Sequence, residues 1–142
     1  MTSSQDEIVV DGVEIIELTK ITGENGSLIV AERGAGLPFE ASRIFTLLDI
    51  PQGEARGTHA HRQCAQFLIC MTGSVVAVVD DGVHRQEILL DRPTMGLHMP
   101  KMTWGTQYNY SRDAMLLVLA SDPYDADDYI HDYEEFTTLK RG

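Results

Sequence analysis

The stretch GEARGTHAHRQCAQFLICMTG, residues 53–73, decides how this chain is read. On an extended strand, residues i and i+2 point to one face. His59 and His61 therefore project together, roughly 6–7 Å apart along the backbone. Two neighbouring imidazoles can ligate a metal or move protons, because histidine titrates near neutral pH. A merely packed or surface pair has the same spacing, so the pair alone is a weak signal. The run QFLICM that follows has no polar alternation, which predicts a central or doubly buried strand.

Similar short runs rich in Val, Ile, Leu and Phe flank it. They lie at 27–31, 43–48, 66–71, 74–80, 83–90, 95–99, 103–108 and 114–120. Turn residues punctuate them at short spacing. Asp81-Gly82, between SVVAVVD and VHRQEIL, suits a two-residue hairpin turn. Many short strands in one chain predict an all-β sandwich or barrel. One helix is expected over 126–137 (125–137 with its cap), with Asp125 as N-cap and Asp127 and Asp128 in the first turn. Tyr129, Ile130, Tyr133 and Phe136 would form its apolar face. Residues 1–10 are polar at the start and are expected to fray.

The chain has 142 residues, 43% of them apolar, which fits a single domain over 1–142 with one core. No apolar run approaches the ~18 residues of a membrane span. The first 20 residues lack a basic start and a long apolar stretch, so no secretory signal is expected, and the cytoplasm is the expected location. A net charge of −11 makes nucleic acid a poor partner. The acid is concentrated at 122–135, so a local Arg cluster elsewhere could still hold an anionic ligand. Cys64 and Cys70, on one extended run, would lie about 20 Å apart. A disulfide needs Cα atoms within about 7 Å. Both are expected reduced and buried, and with no Cys-x-x-Cys no thiolate zinc site is suggested.

The spacing Gly53, five residues, His59-x-His61, then Gly73 resembles the first motif of the cupin superfamily. Gln66 stands where that motif carries an acidic residue. In the second motif, Gly105 stands where a further histidine is usual, after Pro100-Lys101-Met102. Two imidazoles and an amide are a poor metal donor set. His98 is an alternative third ligand, or a packed strand histidine. The pair is therefore expected to do proton transfer without a metal.

The segment RGTHAHR at 56–62 with Gln66, GLHMPKMTW at 96–104, and ASDPYDADDYIHDYEEF at 120–136 together resemble the sugar 3,4-ketoisomerase family. The likeness covers roughly residues 26–137. It implies a double-stranded β-helix, the jelly-roll cupin fold, with one short C-terminal helix. It further implies a homodimer with exchanged strands, no cofactor, and a dTDP-linked keto sugar as partner. The implied reaction moves the carbonyl of dTDP-4-oxo-6-deoxy-D-glucose from C4 to C3 in deoxysugar biosynthesis. An epimerase on the same substrate class, a non-catalytic sugar-binding cupin and a metal-dependent oxygenase are the competing readings.

Such a reaction needs groups that exchange protons near pH 7 and donors aimed at an enolate. His59 is read as the carbon base and His61 as the relay between oxygens, an order that spacing does not fix. A diphosphate calls for Arg. Arg56 and Arg43 are the candidates, although Arg43 at a strand end could simply reach solvent. Gln66 could hydrogen-bond the sugar or orient a histidine. Trp104 either stacks on thymine or packs in the core. Tyr108 either donates to the enolate or packs on its strand.

Overall fold

The computed structural model describes residues 7–142. In chain order the strands are β1 (Glu14–Glu17), β2 (Thr19–Gly23), β3 (Gly26–Val30), β4 (Glu32–Arg33), β5 (Gly36–Leu37), β6 (Arg43–Leu48) and β7 (Arg56–His61). They continue with β8 (Gln66–Thr72), β9 (Val75–Asp80), β10 (Arg85–Leu90), β11 (Met95–Met99), β12 (Trp104–Tyr108), β13 (Met115–Ala120) and β14 (Tyr129–Ile130). One helix, α1, spans Tyr133–Arg141. Every apolar run singled out in the sequence is a strand, to within two residues at each end.

Two five-stranded antiparallel sheets face each other, ordered β1-β11-β8-β13-β6 and β10-β9-β12-β7-β14. This is the all-β jelly roll with one short helix that the family resemblance implies. The pleat decides what fills it. Leu68, Cys70, Leu97, Leu116 and Val118 of the first sheet meet Val75, Ala77, Val79, Ile88 and Leu90 of the second in one core. β6 edges the first sheet and β7 lies one strand in from the edge of the second, and residues of both line one cavity.

Three local expectations change. The single helix over 126–137 is instead a 3-10 turn at Ala126–Asp128, the strand β14, and α1. Tyr129 and Ile130 pair with His61 and Ala60 of β7, and this tertiary pairing overrides the helical periodicity. Asp125 caps only the turn, whereas Asp132 caps α1 by accepting the Glu135 N–H. The Asp81-Gly82 hairpin turn is a longer loop, because Asp80 pairs with Arg85. The buried Asp81 carboxylate organises that loop by accepting the N–H groups of Val83 and His84. Finally, the expected frayed stretch is packed from Ile8: Val10 is 3% exposed and joins the core. Residues 1–6 lie outside the described residues.

A close approach on the outer face of the first sheet is sharply dependent on sequence. Gly96 of β11 sits opposite Ile69 of β8. Phe67, fully buried, lays its ring over Gly96 so that a Cβ there would overlap the ring edge, with Cε1 and Cε2 both at 2.7 Å. Gly96→Ala should therefore cost about 1–3 kcal/mol by overpacking. Denaturant unfolding should show a lower midpoint at unchanged slope.

Candidate active site

Strand alternation carries Gly57, His59 and His61 to the inner face of β7 and leaves Thr58 and Ala60 outside. Thr58 bonds Thr106, and Ala60 packs with Trp104, Ile130 and Phe136 under α1. A cavity of about 350 Å³ opens in the seam beside the inner face. His59, Arg56, Gly57 and Gln107 line it from the second sheet. Phe45, Leu47, Gln66, Leu68 and Val118 line it from the first, and Tyr129 and His131 close it from the segment after β13. A larger cavity, about 640 Å³ between the 49–52 and 109–112 loops, holds no histidine.

The two imidazoles meet edge to face with centroids 4.8 Å apart. Tyr129 packs on both, at 4.7 Å from His59 and 4.5 Å from His61. His61 is 5% exposed, and its Nδ1 lies 3.0 Å from Asp128 Oδ2. A carboxylate only accepts, so Nδ1 donates and Nε2 keeps its lone pair. Nε2 is buried with no hydrogen-bond partner among the described residues. Burial pushes the Asp128 carboxyl up. The N–H groups of Gln63 and Cys64, together with His61, outweigh that and hold it below its ordinary value.

Burial, then the neighbouring His61 and His131, lower His59 from 6.5 to about 4. His61 is also lowered, chiefly by burial, against the opposing pull of Asp128. Both rings are thus neutral at pH 7 and able to accept a proton. The stability consequence has a definite sign. The folded state binds fewer protons than the unfolded chain between pH 6.5 and about 4, so His59 makes stability fall as pH drops through that window.

Arg56 stands exposed at the cavity rim. Arg43 heads β6 with its guanidinium 5.3 Å from the Phe45 ring and 5.7 Å from Tyr124. Its buried Nε has no partner among the described residues. Trp104 and Tyr108 take the packed alternative rather than a place in the cavity. Gly105 and Gln107 of β12 face inward, so 104 and 108 face out. Trp104 packs against Tyr133 and Phe136 of α1, and the Tyr108 hydroxyl donates to Glu87 at 2.6 Å on the outer face. Neither lines the cavity. His98 lies on β11 beside Glu14 and Phe39 and does not line the cavity.

Among the described residues the positions of the cupin motifs offer no full metal donor set. Gly105, which pairs with His59, contributes no ligand, and a Cβ at that position would meet Met99 Cε at 2.5 Å. Gln66 supplies only an amide. Gly57 matters to the cavity too. At φ +73 its missing Cβ leaves room for the Gln107 amide, which turns into the cavity against it. Asp128, Tyr129, His131 and Gln107 were not anticipated from the sequence. Alternation from Gly105 would have found Gln107. Asp128 is 67 residues from His61, and no spacing rule joins them.

Known proteins resemble this chain over most of its length. The family model described as FdtA: WxcM-like, C-terminal matches residues 11–141. A TDP-4-oxo-6-deoxy-alpha-D-glucose-3,4-oxoisomerase from Aneurinibacillus thermoaerophilus is 39% identical over 87% of this chain and 88% of its own length. The solved structure of WlaRA, a TDP-fucose-3,4-ketoisomerase from Campylobacter jejuni, superposes with a TM-score of 0.88 at 37% identity, covering 91% of this chain and 96% of that one. WlaRB, a TDP-quinovose 3,4-ketoisomerase from the same organism, gives 0.87 at 40% identity over 91% and 99%. The chain belongs to the FdtA (WxcM-like, C-terminal) family and, within it, stands with the sugar 3,4-ketoisomerases.

Proposed function

We propose that this chain moves the keto group of dTDP-4-oxo-6-deoxy-D-glucose from C4 to C3 through an enediol, using its own side chains and no metal. The observation that carries the reading is the neutral His59–His61 pair, backed by Asp128, beside a cavity of a size that suits a small ligand. The names of the relatives support the substrate class.

In this reading neutral His59 takes the proton from C3 while the C4 oxygen gains one. His61, its Nε2 open, passes the O3 hydroxyl proton to O4. The proton on His59 exchanges with solvent, and its delivery to C4 leaves the carbonyl at C3 with one C–H bond broken and one formed. Arg56 and Arg43 take the diphosphate, and Gln66 and Gln107 hydrogen-bond the ring. Incubation with the substrate in deuterated water tests this. The NMR spectrum of the product should show a 3-oxo sugar carrying deuterium at C4. A purified chain that binds the sugar but leaves it unchanged and unlabelled would be a sugar-binding protein instead.

The acid limb of activity follows from the depressed His59. Only neutral His59 is a base, and kcat/KM reports the free enzyme. With an ordinary imidazole at 6.5, kcat/KM would fall about tenfold between pH 7 and about 5.5. With His59 near 4, the rate should hold across that interval and fall only below it.

The homodimer with exchanged strands belongs to the same proposal. Among the described residues the β2–β3 hairpin pairs only with itself, with Ile21 and Leu28 more than half exposed. The outer face of the first sheet leaves Ile44 64%, Leu48 49% and Met115 40% exposed. Those apolar residues support a second copy as their cover. We also place the enzyme in the cytoplasm, a reading supported by two buried, free cysteines.

A further inference from the structure

His61 and Asp128 also belong to a cluster whose third member, Cys64, takes no part in the isomerisation. A His61 ring nitrogen, Cys64 Sγ and an Asp128 oxygen all lie within 4.8 Å of one another, and the nitrogen facing Asp128 is Nδ1. Cys64 is 2% exposed and His61 5%. The Cys64 thiol has only a weak acceptor, the Ala65 carbonyl at 3.4 Å. We infer that this His61–Cys64–Asp128 cluster is a binding site for a soft divalent cation such as Zn²⁺, and that filling it switches the enzyme off.

The donor set fits that chemistry. Imidazole nitrogen, thiolate and carboxylate are the ligands Zn²⁺ takes, at about 2.0–2.3 Å each. Ligands at those lengths around a tetrahedral ion stand between about 3 and 4 Å apart. The His61–Asp128 contact, now 3.0 Å, need only open slightly, and the sulfur need only close in. One thiolate and one carboxylate neutralise the ion, so no net charge is buried. The outer shell is already built. Gln63 N–H and Cys64 N–H hold the Asp128 carboxylate at 2.7 and 3.3 Å. The turn after β7 sets His61 and Cys64 three residues apart, and the β14 pairing brings in Asp128 from the other end of the fold.

The proton balance gives the consequence. Binding forms bonds to the ion from Nδ1, from sulfur and from an Asp128 carboxylate oxygen, and breaks the Nδ1–H to Asp128 hydrogen bond. The thiol proton leaves to the buffer. The imidazole keeps its single proton but must carry it on Nε2. The ring then offers a donor where the relay needs a lone pair. This inhibitory step rests on the isomerase reading above; the binding site does not.

Two arms separate them. In the binding arm, Cd²⁺ added to the full chain should raise a thiolate-to-metal charge-transfer absorption with a stoichiometry of one per chain. Zn²⁺ affinity, measured against a chromophoric chelator, should weaken more than about 100-fold in Cys64→Ala, since even outer-shell losses reach that range. Cys64→Ser provides the same comparison if the alanine variant folds poorly. In the activity arm, Zn²⁺ should inhibit the wild type reversibly, with recovery on adding chelator. Cys64→Ala should keep basal turnover and resist the same Zn²⁺ concentration. Absence of the Cd²⁺ band, or unchanged Zn²⁺ affinity in Cys64→Ala, would overturn the site and move any bound ion to the His59–His61 pair. Binding without inhibition would overturn the switch. A chain with the band but no turnover would keep the site and lose the function.

Discussion

In deuterated buffer, His59→Asn should leave the C3 proton of the substrate in place, and turnover should fall by about 10²- to 10⁴-fold, the usual contribution of a positioned acid–base group. His59 is the ring that lines the cavity, and burial keeps it unprotonated at pH 7. Asparagine keeps much of the size and one hydrogen bond but cannot accept a proton from carbon. His61→Asn should behave differently. Exchange at C3 should survive while net conversion to the 3-oxo sugar is lost, because the oxygen-to-oxygen relay is gone. If His61→Asn blocks exchange and His59→Asn does not, the two roles are reversed. Full exchange and turnover in both would remove the pair from the chemistry.

Asp128→Asn is expected to approach the same loss without touching the substrate. The carboxylate accepts from His61 Nδ1 at 3.0 Å and so fixes which nitrogen is free. An amide nitrogen turned toward Nδ1 would donate instead, and the ring would carry its proton on Nε2, facing the wrong way. A fall in kcat of about 10²- to 10⁴-fold with KM nearly unchanged is expected, on the scale of a triad aspartate replaced by asparagine. The ¹⁵N spectrum of His61 should show the tautomer inverted. The variant also weakens the hold on Gln63 N–H and Cys64 N–H, so some stability loss, about 1–3 kcal/mol, should accompany it. A folded Asp128→Asn with normal kcat and an inverted tautomer would show that His61 is a spectator.

The sequence displays what period and spacing can encode. The eight apolar runs became β3, β6 and β8 to β13 because their burial is set by the pleat. His59, His61, Arg56 and Gln66 gather because three of them share one strand and the fourth opens the next. What stayed hidden depends on contacts between distant segments. Tyr129 and Ile130 fit a helical stripe and were drawn into a strand by β7. That pairing, not any local pattern, brings Asp128 to His61 and places His131 5.9 Å from His59. Residue type alone leaves Trp104 and Tyr108 between substrate contact and packing. Counting alternate positions from Gly105 would have turned both outward.

The β14 pairing also bears on when the enzyme comes alive. A ribosome delivers this chain N-terminus first, and domains fold as their segments emerge. Every strand of the barrel core is made before Asp128, Tyr129 and His131 leave the exit tunnel. A nascent chain at that stage owns a nearly finished barrel with one wall missing and His61 without its Asp128 partner. Catalytic competence therefore arrives as a late step, after most of the hydrophobic surface has already been sequestered.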